Sequence, residues 1–126
     1  MTRHRIENYT EPIPFRFNVA PSQAVAAFIP TKRGNVVTWF SWGLLPAWVE
    51  NASTFRPLIN IRSEGILDKR TFRYDLIHRR CLIPATAFYE WSITGKQPWA
   101  LSCKDREVFC FAGIYEQWVG ADGSDV

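Results

Sequence analysis

The stretch Ala24-Val-Ala-Ala-Phe-Ile-Pro-Thr-Lys-Arg-Gly-Asn-Val-Val-Thr-Trp-Phe-Ser-Trp42 decides the fold class. Its two ends, Ala24–Ile29 and Val36–Trp42, are apolar runs rich in β-branched and aromatic residues. Between them lies Thr-Lys-Arg-Gly-Asn, a turn centred on Gly34, and this combination reads as a β-hairpin. Working outward, Leu58–Arg62 reads as a short strand after Pro57. Cys81–Ile83 leads through Pro84 into a second extended run, Ala87–Ile93. The Thr94-Gly-Lys-Gln97 turn joins this run to Trp99–Cys103, and Lys104-Asp-Arg-Glu107 joins that strand to Val108–Tyr115. Only residues 63–79 read as helical, with Ser63 and Thr71 as N-caps of two short pieces and Phe72 and Leu76, four apart, facing the sheet. The expected fold is α+β and β-dominated, a curled antiparallel sheet or half-barrel with one or two short helices. Residues 1–15, which include Pro12-Ile-Pro14, read as an extended or disordered arm, 16–119 as the domain, and 120–126 as a flexible tail.

Composition bounds the function classes. The 126 residues make one domain. Apolar residues are 47% and aromatics 15%, with 6 Trp and 9 Phe, which excludes a disordered segment. No apolar run approaches the roughly 18 residues of a membrane span, and the polar start, Met1-Thr-Arg-His-Arg-Ile-Glu-Asn8, has no signal-peptide core. The expectation is a soluble, cytoplasmic domain with no membrane partner. Net charge is +3, but seven Lys/Arg stand against three Asp/Glu between Arg56 and Arg80. Such a cluster reads either as the footprint of a phosphate-bearing partner or as a solvated, salt-bridged helical face. The three cysteines, Cys81, Cys103 and Cys110, have no CxxC spacing and sit among apolar neighbours in strand-like runs, so buried, reduced thiols are expected, with no zinc or other metal site.

Three constellations carry potential chemistry. In a strand Leu58–Arg62, alternation would put Asn60 and Arg62 on one face and Ile59 and Ile61 on the other. An amide and a guanidinium projecting together suit a phosphate or a strained polar ligand, and equally suit a wet edge strand. In Phe88-Tyr-Glu-Trp91, Glu90 lies among large aromatics; half-buried, its pKa would rise toward the range useful in general acid–base catalysis. The alternative is a rim glutamate paired with an arginine. In Trp39-Phe-Ser-Trp-Gly-Leu-Leu-Pro-Ala-Trp48, Trp39 and Trp42 have opposite parity and Trp48 falls on a loop after Pro46, where it could stack on a base. There is no GxSxG, P-loop or GxGxxG, and with His4 and His78 as the only histidines a triad is not expected.

In order, Arg16-Phe-Asn-Val-Ala-Pro21, Trp42-Gly-Leu-Leu-Pro-Ala-Trp48, Ile59-Asn-Ile-Arg-Ser-Glu64, Arg79-Arg-Cys-Leu-Ile-Pro-Ala-Thr-Ala-Phe-Tyr-Glu-Trp91, Lys96-Gln-Pro98 and Ala112-Gly-Ile-Tyr-Glu-Gln-Trp118 resemble the SOS response-associated peptidase (SRAP) family over about residues 16–118. The resemblance implies a sensor of abasic sites in single-stranded DNA, without a cofactor. In that family an N-terminal Cys, exposed by removal of the initiator Met, condenses with the ring-opened sugar to a thiazolidine, and the same N-terminus is released by self-cleavage. Carried over by motif, Asn60 orients the nucleophile and the sugar, Glu90 moves protons, Arg62 holds a flanking phosphate, and Asn18, Pro21 and Trp48 contact and splay the DNA.

The chain departs from that pattern at position 2, which is Thr, and lacks the family's later His-bearing segment. Ile61 and Gly65 also depart from the usual motif around Asn60. The expectation is therefore an SRAP-type fold incomplete at both ends, most simply a piece of a longer product, with a degenerate homologue or a chain completed by another protomer or polypeptide as the alternatives. It would recognise DNA with weak or reversible covalent capture, and non-catalytic binding of single-stranded nucleic acid is the competing expectation.

Overall fold

A computed structural model describes residues 18–119. The expected arm 1–15, the start of the first motif and the tail 120–126 lie outside these residues. The leading hairpin forms as β1 (Ala24–Thr31) and β2 (Gly34–Ser41), paired antiparallel over eight residues from Ala24↔Ser41 to Thr31↔Gly34. Both strands run to the edges of a Lys32-Arg33 turn. Gly34 there takes φ +112°, the Thr31 hydroxyl donates to the Gly34 carbonyl (2.6 Å) and accepts from the Arg33 amide (3.2 Å).

Next come a 3-10 turn at Ala52–Thr54, capped by the Asn51 side chain, a second at Ile66–Asp68, and helix α1 at Arg70–His78. The chain then returns as β3 (Arg80–Ala85), β4 (Phe88–Trp91), β5 (Pro98–Leu101) and β6 (Phe109–Ile114). The described residues form a four-stranded sheet in the order β2-β1-β3-β6 and a two-stranded sheet β4-β5, all antiparallel and not closed into a barrel. The sheet-dominated expectation therefore holds.

The four-stranded sheet is curled. Strands lie about 4.8 Å apart, so a flat sheet would hold β2 roughly 14 Å from β6. Yet Phe40 of β2 stacks on Tyr115, just past β6, with ring centroids 4.8 Å apart. The two ends of the sheet thus turn toward each other and the rings meet across the concave side. Inner strand β1 buries adjacent residues, Ala26 and Ala27, so both its faces are covered at that point. A second nucleus joins Leu45, Val49 and Trp118, with Ala52 and Phe55 against it, and the Trp118 indole donates to the Val49 carbonyl (2.6 Å).

Several local expectations are corrected. Residues 59–62 form no strand: Leu58 alone makes a bridge, to Leu44. Ile59 is 42% exposed, so the face expected to pack is partly open to water. Neither Ser63 nor Thr71 caps a helix. Lys69 precedes α1 without a side-chain cap, and Thr71 lies inside the helix. Phe72 and Leu76 are half-buried, and the fully buried residue of α1 is Asp75. All three cysteines are free thiols, and Cys81 alone is buried, its pKa pushed up to about 11 by loss of water. Cys103 lies past the end of β5, and Cys110 sits on the face of β6 opposite Phe109 and Phe111; both are exposed.

Candidate nucleic-acid interface

Asn60 and Arg62 lie on an irregular segment that follows the Leu44–Leu58 bridge, in which each amide donates to the other's carbonyl (2.8 and 2.9 Å). Both side chains are exposed, and among the described residues neither takes part in a hydrogen bond or ion pair. Their amide and guanidinium are therefore available to an external ligand. The segment reaches the end of β2 through Trp42, whose indole donates to the Ile59 carbonyl (3.1 Å).

The same tryptophan holds the Ala20–Gln23 turn, which carries Pro21 and follows Asn18. The Ser22 amide donates to the Trp42 carbonyl (2.8 Å), and the Trp42 amide donates to the Gln23 carbonyl (3.0 Å). Within the turn the Ala20 amide donates to the Gln23 side chain (3.0 Å), and Ser22 takes a left-handed φ of +74° that is uncommon outside glycine. Asn18 and Pro21 are exposed. Two of the anticipated DNA-contacting stretches thus meet at one residue.

Trp48 projects from the loop after Pro46, 63% exposed, with Phe55 packed edge-on at 5.5 Å. It helps line an open groove of about 440 Å³ with Val49, Glu50, Asn51, Thr54 and Phe55. Because Val49 is tied to Trp118, this loop presents a large aromatic surface from an anchored base. A flat, wet indole held in this way can stack on a base, and Glu50 at the rim sets a negative charge beside it.

Glu90 departs from its expected setting. It lies in β4 opposite Trp99, and it is exposed, as are Tyr89 and Trp91 on either side. The burial on which a raised pKa was argued is absent. The β4-β5 hairpin meets the main sheet through Phe88, which packs edge-on against Phe109 and Phe111 (6.2 and 5.6 Å). Among the described residues no hydrogen bond or ion pair links Glu90 to Asn60 or Arg62.

The basic stretch divides in two. Arg56, Arg62, Lys69, Arg70, Arg73 and Arg80 are exposed, but Arg79 is spent inside the molecule. One of its terminal nitrogens bridges Asp75 of α1 and Glu116 beyond β6 (2.9 Å to each), and its guanidinium lies over the Tyr74 ring at 4.7 Å. The hydrogen bond to Asp75 is the main reason the Arg79 pKa is raised. Burial, followed by the neighbouring Asp75 carboxylate, pushes the Glu116 pKa above its ordinary value despite Arg79. Sequence reading missed this network because its partners are 37 residues apart in the chain. Among the described residues no group of three or more His, Cys, Asp or Glu has metal-binding geometry, and no helix is long and apolar enough to cross a membrane.

The sequence profile of the SOS response associated peptidase (SRAP) family matches residues 2–126. The abasic site processing protein YoaM of Bacillus subtilis is 40% identical over 105 residues, 81% of this chain and 46% of that protein. YoqW of the same organism, also an abasic site processing protein, is 37% identical over 111 residues, 86% of this chain and 50% of its own. A crystal structure from Bacteroides thetaiotaomicron superposes with TM-score 0.67 at 28% identity, covering 82% of this chain and 47% of that one. Another, from Bordetella bronchiseptica, shares the fold with TM-score 0.70 at 23% identity, covering 86% and 55%. The chain spans about half the length of the curated relatives it matches.

Proposed function

Because the chain belongs to the SOS response-associated peptidase family, we propose that it recognises abasic sites in single-stranded DNA. The observation that carries this reading is that Trp42 bonds both Ser22 and Gln23, next to Pro21, and Ile59, next to Asn60, with the unpartnered polar side chains of Asn60 and Arg62 exposed beyond it. The abasic-site names of the relatives support it.

An abasic site removes one base and leaves a flexible, polar sugar that is not shielded by stacking. A protein that prefers it must replace the lost stacking with its own surface and hold the flanking phosphates. Trp48 offers the stacking surface, and Pro21 offers a rigid apolar edge. Arg62 holds a phosphate by its planar fork, and the Asn60 and Asn18 amides donate to and accept from the opened sugar and backbone. Glu90 moves protons only if DNA covers it, since in the free protein it faces water. The place of action is the cytoplasm, with the protein bound to damaged DNA.

A second reading, binding without covalent capture, is favoured by the solvent exposure of Glu90. Incubation with an abasic oligonucleotide followed by a denaturing gel separates the readings: a shifted band supports capture, and native binding without a band supports the module. Either way affinity falls with salt, and Arg62→Ala lowers the slope of log K against log salt by about 0.7. A salt-independent affinity would contradict both.

A further inference from the structure

Trp42 spends every polar group it has on joining three stretches of chain. Its carbonyl and amide hold Ser22 and Gln23, and its indole N–H holds the Ile59 carbonyl. The next residue, Gly43, has φ +128°, and a Cβ there would stand 2.9 Å from the Pro57 Cβ, a contact only glycine avoids. The chain at residues 42–44 therefore lies directly against residues 57–59.

The indole bond matters because of what surrounds it. Among the described residues it is the one hydrogen bond that reaches residues 59–62; the backbone ladder stops at Leu58. The Ile59 carbonyl shares a planar peptide unit with the Asn60 N–H and Cα. Anchoring that oxygen therefore sets the plane from which the Asn60 side chain departs. An indole nitrogen only donates, so the contact has one polarity and one orientation.

We propose that Trp42 is a positioning residue of the abasic-site surface: through the Ile59 carbonyl it sets the placement of the Asn60 amide relative to the Ala20–Gln23 turn that carries Pro21. This rests on the reading of Asn60 given above. Trp42 touches no ligand in this account and acts through the peptide it holds.

Trp42→Phe keeps an aromatic ring and removes the N–H. In the Phe variant, 15N relaxation is expected to show increased motion at the Asn60, Ile61 and Arg62 amides, with β1 and β2 amides unchanged. Affinity for an abasic oligonucleotide falls about five-fold, the scale of one hydrogen bond, while affinity for the intact oligonucleotide holds. Asn60→Ala in the Phe background adds nothing further. Unchanged motion at residues 60–62, or fully additive losses, would overturn the proposal. If the wild-type protein does not distinguish abasic from intact DNA, the functional reading falls and the relaxation comparison still decides the positioning claim. Should the Phe variant not fold, exchange of the Trp42 indole proton in the wild-type protein decides it: protection is expected, and exchange at the rate of a free indole would refute it.

Discussion

At Gly43, one missing side chain permits both a left-handed backbone and close packing against Pro57. Gly43→Ala meets both penalties, a positive φ and a Cβ 2.9 Å from Pro57. It is expected to lower stability by about 2 kcal/mol, the range of a strained backbone position, read as a lower midpoint in urea. Gly34→Ala meets only the backbone penalty, because no atom lies within 4 Å of a Cβ there, and costs less. Equal losses at the two glycines would contradict the steric account. The Trp42-Gly43 dipeptide was visible in the sequence, but its role was not, since parity says which face a tryptophan takes and nothing about where its N–H goes. Asn60 and Arg62 stand out in the sequence as residues of a strand, and the chain forms no strand there. Ile59 and Ile61 imitate strand alternation, but a strand needs a partner, and pairing ends at the Leu44–Leu58 bridge.

At the level of elements, α1 is fastened to the end of β6 by two carboxylates and one arginine. Asp75 is 1% exposed, and its Oδ2 has no partner among the described residues. Removing Arg79 leaves the buried Asp75 side chain without its partner, so Arg79→Ala is expected to cost about 2 kcal/mol, the scale of a buried acceptor left unsatisfied. The raised Glu116 pKa predicts a pH dependence. The native state holds this proton more tightly than the unfolded chain, so its contribution is complete below the ordinary value of 4.5 and is lost as pH rises through the raised value. Denaturation midpoints followed upward from pH 4.5 should carry this declining component, and Glu116→Gln should remove it. A component that instead grows with pH in the wild-type protein would refute the assignment. Sequence reading placed the helix correctly within 63–79 and oriented it by Phe72 and Leu76, because periodicity reports apolar faces. A buried acid breaks that rule and is explained only by Arg79 and Glu116 brought in from outside the helix.

On the scale of the whole molecule, the hairpins were legible because each is local: alternating or apolar runs flank short turns at Gly34 and Gly95. The curl that brings Phe40 onto Tyr115 was expected only as a fold class, since no local pattern encodes a contact between residues so far apart. Stability is unevenly spread. β1 is paired with β2 along its length and buries Ala26 and Ala27, whereas β4-β5 is a two-stranded sheet with Tyr89, Trp91, Trp99 and Leu101 all exposed. Two-stranded hairpins are marginal alone in water, so amides of β4 and β5 should exchange with solvent at least about ten-fold faster than those of Ala26–Phe28. Uniform protection across both sheets would show that the exposed hairpin faces are covered in solution.

In the proposed function the Asn60–Arg62 segment reads the missing base. Fluorescence anisotropy tests this most directly: one labelled single strand, prepared intact and with a single abasic site, is titrated with wild-type protein and with Asn60→Ala. Wild-type protein is expected to bind the abasic strand more tightly, and Asn60→Ala to erase that preference while leaving affinity for the intact strand unchanged. Equal binding of both strands by the wild-type protein, or a preference that survives loss of the Asn60 amide, would contradict it.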